Sequence, residues 1–389
     1  MSTVPERDRD WGFERVRRWL GRDTVAVPLS VFIGSRLALF ALASLFIGLI
    51  PIDPDKQPGF VGAFLRWDGG WYTKIARHGY QWSGPEQASS VAFFPLYPMI
   101  AKAVAPIVGN DVRLALFLVS NAAFLAYLSY LYRLAKRDFD AGVAERSVVY
   151  VAIFCLSVFF SAGYAESLML ALTTAAFFYA REGRWMPAIA LGALTTLTRL
   201  AGLFIVLPLA WEWYRQKGFT LRALVLLAIP AGLASYMVYM AVLTGDPIAF
   251  LSVERAWKRS LTWPWNTWHI AWQLITTLPR TRYITAIAMV DAGCIVGFLA
   301  LSLGAIRVMP PAYWLYSLPL YCVATSSTLD PNVGLPTASI GRYLMSIFPA
   351  FIMMGVIGRA RAAHYTLLFL FAALLGPLTI YFFASIWVE

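Results

Sequence analysis

The chain has 389 residues, 59% of them hydrophobic and only 14% charged, with a formal net charge of +11. A soluble globule carries roughly a quarter charged residues, and so few charges could not cover a water-facing surface. The chain therefore reads as an all-α polytopic membrane protein. Its apolar stretches are continuous rather than alternating, which excludes a β-barrel, and the basic excess orients loops at a membrane rather than marking a nucleic-acid partner.

Residues 1–26 hold six arginines. Phe13, Val16 and Leu20 share one helical face, and Arg15, Arg18 and Arg22 another. That pattern predicts an interfacial amphipathic segment on the cytoplasmic side, not a cleavable signal peptide. From residue 27 to 389 a single integral-membrane domain is expected, with about eleven transmembrane helices. The spans are Val27–Ile50, Val112–Tyr132, Ser147–Ala162, Ser167–Ala180, Met186–Thr198, Leu200–Tyr214, Ala223–Leu243, Ile284–Ile306, Ala312–Thr328, Leu344–Ile357 and Tyr365–Trp387. The run Val91–Val108 contains Pro95, Pro98 and Pro106 together with Lys102, and is a poor spanning helix. If it does not cross, 18 of the 32 Lys and Arg fall inside in short segments and 13 outside, with Arg36 in the first helix. That is the distribution the positive-inside rule favours. Residues 51–111 then form a large first extracytoplasmic loop with short amphipathic helices. Residues 244–282 form a second, and Leu329–Arg342 a third. Cys155, Cys294 and Cys322 lie in apolar runs and read as small core hydrophobes.

Several spans are short. Ser147–Ala162 and Ser167–Ala180 cover roughly 22 Å each at 1.5 Å per residue, against roughly 30 Å of hydrocarbon. The turn Gly163–Glu166 is therefore expected below the outer interface, and so is Arg199, where the next two short spans meet. Charges at that depth need water, a partner or a ligand, so Glu166 and Arg199 either pair with each other or line a recess open to the outside. In Arg66-Trp67-Asp68-Gly69-Gly70-Trp71, Asp68 precedes a helical pattern that Gly79 ends. It reads as an N-cap or as a general base, partly desolvated between two tryptophans and so raised in basicity; the two roles are compatible. Two prolines fix Phe93-Phe94-Pro95-Leu96-Tyr97-Pro98 as an interfacial belt or as a wall for a lipid chain. Glu254–Arg259 and Trp263–Asn266 interleave cations with aromatics. That suits a phosphate head group above a lipid tail, or plain interfacial anchoring. Arg342-Tyr343 is a further candidate phosphate partner. His78, His269 and His364 show no metal spacing and no glycine-rich loop cradles a nucleotide, so no cofactor and no metal is expected. The candidate acids and bases lie on the outer side, where nucleotide sugars are unavailable. A lipid-phosphate sugar delivered in the membrane fits.

The ordered set Arg66-Trp67-Asp68, Lys74–Tyr80, Ala92–Pro98, Ala162-Gly163-Tyr164-Ala165-Glu166-Ser167-Leu168 and Arg199-Leu200-Ala201-Gly202 resembles the second mannosyltransferase of glycosylphosphatidylinositol-anchor synthesis and its prokaryotic relatives. The resemblance covers about Val27–Leu209. It implies a GT-C glycosyltransferase fold, a polyprenyl-phosphate mannose donor, inversion at the anomeric carbon, and a catalytic acid in the first loop, matched here by Asp68. On this reading Asp68 and Glu166 are the catalytic pair, and Arg199, Arg342, Lys258, Arg255 and Arg66 bind donor phosphate or sugar. Trp67, Trp71, Phe94, Tyr97 and Tyr164 line the lipid or acceptor groove. The acceptor is a glycolipid, glycan or protein at the extracytoplasmic face of what composition suggests is a prokaryotic plasma membrane, with membrane lipids as further partners. Gly69-Gly70-Trp71 and Leu200-Ala201 depart from the family pattern at positions that bear on the acceptor. The rival class is a transporter or flippase for a glycolipid or polyprenyl-phosphate lipid, which should show repeated halves; no repeat is evident.

Overall fold

The computed structural model describes residues 22–49, 59–277 and 283–386. The expected amphipathic segment lies almost wholly outside them. The described chain opens with α1 (Arg22–Leu49), followed by the short α2 (Gly59–Ala63), α3 (Asp68–His78) and α4 (Leu96–Val104), then α5 (Val112–Asp138). Next come α6 (Ala141–Ile153), α7 (Glu166–Arg181), α8 (Trp185–Thr196), α9 (Val206–Lys217) and α10 (Ala228–Thr244). The last part holds α11 (Ala249–Ser252), α12 (Pro264–Thr277), α13 (Tyr283–Val308), α14 (Pro311–Ala324), α15 (Ile340–Leu344), α16 (Phe348–Ile357) and α17 (Arg361–Phe383).

Among the described residues, five helical segments are long and apolar enough to cross a bilayer alone: α1, α5, Leu221–Thr244 (a 3-10 turn running into α10), α13 and α17. The chain is accordingly an integral membrane protein. The other expected spans are shorter helices, several joined to 3-10 turns. Val91–Val108 is not one long helix: it runs as a 3-10 turn, then α4 continuing into a second 3-10 turn. Gly109 (φ 73°) and Asn110 (φ 61°) then swing the chain into α5, whose first turn is capped by Asp111 accepting from the N–H groups of Arg113 and Leu114.

The expectation of an all-helical chain needs one correction. Arg259–Leu261 (β1) and Ser327–Leu329 (β2) form an antiparallel ribbon, with Arg259 opposite Leu329 and Leu261 opposite Ser327. It ties the second expected loop to the end of the expected span Ala312–Thr328 and the first residue of the third loop. Cys155 and Cys294 are buried as expected, but Cys322 is exposed.

The feature that positions the site is the break between α6 and α7. Residues 154–165 leave the helical path, yet all of them are buried, so their backbone groups need partners. Local backbone bonds such as Ser157 N–H to Phe154 O and Ser161 N–H to Val158 O supply many of them, and Arg36 of α1 adds side-chain donors. Its Nη2 donates to Ala152 O (3.1 Å) and Ser157 Oγ (2.7 Å), and its Nη1 to Ser157 O (3.2 Å) and Ser161 Oγ (2.9 Å). The guanidinium also lies over the Phe124 ring, 4.5 Å from its centroid. This charge inside an apolar helix is thus spent on holding a break.

At the far end of the helices the basic residues are tied into ion pairs. Arg181 bridges Asp138 and Glu212 at 2.8 Å each, Arg137 meets Glu182 at 2.9 Å, and Arg359 meets Asp140 at 2.7 Å.

Candidate active site

Asp68 is the first residue of α3. The N-cap position is Trp67, held at φ 51°, a left-handed conformation costly for an aromatic residue. The capping reading of Asp68 is therefore replaced: its Oδ2 accepts from Arg342 Nη1 at 2.6 Å instead. Gly79 ends α3 as expected, at φ 79° with its N–H on Ile75 O.

Glu166 begins α7, just after the break. Close packing brings it beside Asp68: Gly163 N–H donates to Phe64 O at 2.9 Å, and a Cβ at Gly163 would run into the Leu65 side chain. Arg199 sits in the turn between α8 and the 3-10 turn Leu200–Ile205 and donates to Glu166 Oε1. That turn is tight because Gly202 lies against the Thr195 carbonyl, where a side chain would clash. Arg342, on α15, reaches both acids, with Nη1 2.6 Å from Asp68 and 3.4 Å from Glu166 Oε1. Four residues separated by up to 274 positions thus converge, and a guanidinium occupies the place between the carboxylates.

Around this cluster Tyr343 acts as a hub. Its ring centroid lies 5.1 Å from the Arg342 guanidinium carbon, 5.4 Å from that of Arg199 and 5.7 Å from that of Arg259. Burial alone would lower the pKa of Arg199 and Arg342. The neighbouring carboxylates outweigh it, and both guanidiniums are held above their ordinary value. Glu254 also feels the cluster: burial raises its carboxyl pKa, Arg259 opposes the rise, and Asp68 adds to it. The two acids at the centre differ in access. Asp68 keeps 24% of its side chain exposed and Glu166 only 1%, and Glu166 Oε2 is buried without a hydrogen-bond partner.

The remaining expected site residues separate into two groups. Arg255 and Lys258 do not touch the carboxylates. They line a neighbouring cleft of about 630 Å³ together with Arg259, Gln273, Thr328 and Asp330. Arg66 turns the other way and donates to Phe383 O at 3.1 Å. Trp71 stacks on Phe93 (centroids 5.7 Å apart) and meets Trp257 edge-on, while Lys74 lies over its ring; Trp67 packs partly buried against the core. Phe94, Tyr97 and Tyr164 are buried. Phe94 packs on Tyr236 and Phe250. Tyr97 is fully buried and bonded to Leu116 O and Ser120. Tyr164 lies buried beneath Arg342. Large aromatics in a membrane protein's core satisfy packing first.

Arg259 and Glu254 were not singled out from sequence, although both lie in the cation–aromatic run. The left-handed turn at Lys258 (φ 56°) starts the ribbon and separates neighbours: Lys258 stays exposed, while Arg259 donates to Ala338 O and Ser339 Oγ. Arg259 Nη1 is buried and has no hydrogen-bond partner. The arrangement offers a partly open carboxylate, a second buried one, and a guanidinium with a spare donor at the edge of a basic cleft.

The fold defines a polytopic helical membrane protein. It superposes on ArnT from Cupriavidus metallidurans, solved bound to undecaprenyl phosphate, over 88% of this chain and 60% of that one, with a TM-score of 0.50 and 13% identity. At that identity the likeness is one of fold. Sequence narrows it further: residues 52–225 match the family model of mannosyltransferase (PIG-V). The chain is 33% identical over 158 residues to GPI alpha-1,6-mannosyltransferase 2 of Cricetulus griseus, and 30% identical over 158 residues to that of Homo sapiens. Each match covers 38% of this chain and 31% of the relative, so it spans about a third of the curated relatives' length. The chain thus resembles this mannosyltransferase family in sequence. Asp68, Glu166 and Arg199 fall within the matched residues; Glu254, Arg259 and Arg342 come from beyond them.

Proposed function

We propose that the protein is an inverting glycosyltransferase moving a mannosyl or other hexosyl unit from a polyprenyl-phosphate sugar to a hydroxyl of a lipid, glycan or protein acceptor. The observation that carries this reading is the partly open Asp68 carboxylate, ion-paired to Arg342 beside Glu166 and Arg199. Asp68 takes the proton from the acceptor hydroxyl, whose oxygen attacks the anomeric carbon from the face opposite the phosphate. The bond from that carbon to the phosphate oxygen breaks, and the phosphate leaves with the electron pair. Glu166, whose second oxygen is unpartnered, orients sugar hydroxyls and holds Arg199. The leaving phosphate needs cations. Arg342 and Arg199 already neutralise carboxylates and Arg66 faces Phe383, so the phosphate falls to Arg259, Lys258 and Arg255 at the cleft.

The sequence likeness to mannosyltransferases supports the sugar, and the fold likeness to a protein solved with undecaprenyl phosphate supports the lipid. The site lies at the end of the bundle away from the basic ion pairs, so the positive-inside rule puts it at the extracytoplasmic face. Incubating the purified protein with polyprenyl-phosphate mannose and a panel of glycolipid acceptors tests the reading. Wild type should transfer mannose, and Asp68→Asn should lose at least about 10²-fold of the rate while still binding donor. Wild-type transfer by Asp68→Asn would remove the catalytic assignment.

A further inference from the structure

A second cavity, of about 380 Å³, lies between the start of α6 and the start of α17 and is lined by Glu145, Arg146, Arg359, Arg361, His364 and Tyr365. It is remote from the site just described, since α6 runs 13 residues, or roughly 20 Å, from this cavity to the break before Glu166. We propose that it binds the phosphate head group of an anionic membrane phospholipid. Charge points there first. Three arginines and a histidine face two acids, Glu145 and Asp140, and Asp140 is already spent on Arg359 at 2.7 Å and on capping α6 through the Val143 N–H. Arg146 uses its Nε on Gly355 O, and Arg361 projects exposed at the cavity rim.

The place is right for a lipid rather than a soluble anion. Arg361 is the first residue of a membrane-spanning helix, so the cavity sits at the level where head groups lie. Below it, Tyr365 and Phe369 are 66% and 79% exposed. Spaced by four residues on one helix, they form one stripe along which an acyl chain descends from the basic cavity. Basic pockets between membrane helices are suited to anionic head groups. The cavity is also tied to the body of the protein: Tyr150, buried on α6, shares a 2.7 Å hydrogen bond with His364 Nδ1, so an occupant braces α6 against α17.

The test uses the full chain in a neutral detergent, with phosphatidylglycerol or phosphatidylcholine added at equal concentration. Phosphatidylglycerol should raise the unfolding midpoint by about 2–5 °C, and native mass spectrometry should show one more retained lipid than with phosphatidylcholine. Arg361→Glu should lose most of the shift and that one lipid. Arg222→Glu, an exposed basic residue outside the cavity, should keep both. Equal stabilisation by the two lipids, or an unchanged response in Arg361→Glu, would overturn the proposal. So would sodium phosphate reproducing the whole shift, since the site would then take a free anion.

Discussion

Asp68→Asn is a clean probe because the site contains a second acid. Removing a partner from a buried ion pair usually costs about 3–5 kcal/mol by stranding the other charge. Here Arg342 would still face Glu166 at 3.4 Å, and the asparagine oxygen can still accept from it, so folding should survive while the base is lost. Arg342 offers no such probe, since its removal strands Asp68 and leaves Glu166 to Arg199 alone. Arg259 separates binding from chemistry. A lost charge-assisted hydrogen bond is worth about 1.5–3 kcal/mol, so Arg259→Gln should raise KM for the lipid-phosphate donor about 10-fold or more and leave kcat within about 3-fold. Steady-state kinetics over a donor series would check this. A fall in kcat with unchanged KM would move Arg259 out of the phosphate subsite and into the chemistry.

At the scale of elements, the broken helix α6–α7 is the organising device. An unbroken helix would have buried Glu166 in hydrocarbon without a partner; the break puts it at a helix start beside Asp68. Arg36 makes the break affordable by donating to Ala152 O and Ser157 O. Arg36→Met takes the guanidinium donor from Ser157 O and from the Ser157 and Ser161 hydroxyls, while Ala152 O keeps the Ser157 hydroxyl; each lost charge-assisted bond is worth about 1.5–3 kcal/mol. The substitution should lower the unfolding midpoint in detergent sharply and abolish transfer with it. Arg36→Lys keeps the charge but not the fork and should fall between. Thermal unfolding followed by tryptophan fluorescence would resolve the three proteins, and an Arg36→Met midpoint equal to wild type would mean that the break holds itself.

Over the whole molecule, acidic and basic side chains gather at two ends. At one end three guanidiniums share the Tyr343 ring with carboxylates beside them; at the other, the Asp138 and Glu212 side chains, 4% and 1% exposed, sit within an arginine network. The second end holds most of the basic connections, which fixes the expected orientation. With Cys322, the exposed native thiol, changed to serine, a membrane-impermeant maleimide should modify Glu86→Cys in intact cells. Lys217→Cys should react only after permeabilisation. Both positions are exposed, and the opposite pattern would invert the proposed topology.

Composition and apolar run length were enough to establish a helical membrane protein, because burying a hydrocarbon-facing surface is a local demand that each residue meets by its own side chain. Run length also marked the two short hairpins, and so put Glu166 and Arg199 at a common depth, either paired or lining a recess; in the structure they pair. Pairing was not legible in the same way. Whether Asp68 capped its helix or met a cation depended on Arg342, 274 positions away, and long-range approach leaves no trace in local periodicity. Arg259 was hidden for a related reason: a two-stranded ribbon of three residues per strand is too short for an alternation to show, so which of Lys258 and Arg259 turned inward was decided by the left-handed turn at Lys258. Phe94, Tyr97 and Tyr164 resembled groove residues by type. Only packing settled that they fill the core, because an aromatic ring obeys the same chemistry against a lipid chain as against another ring.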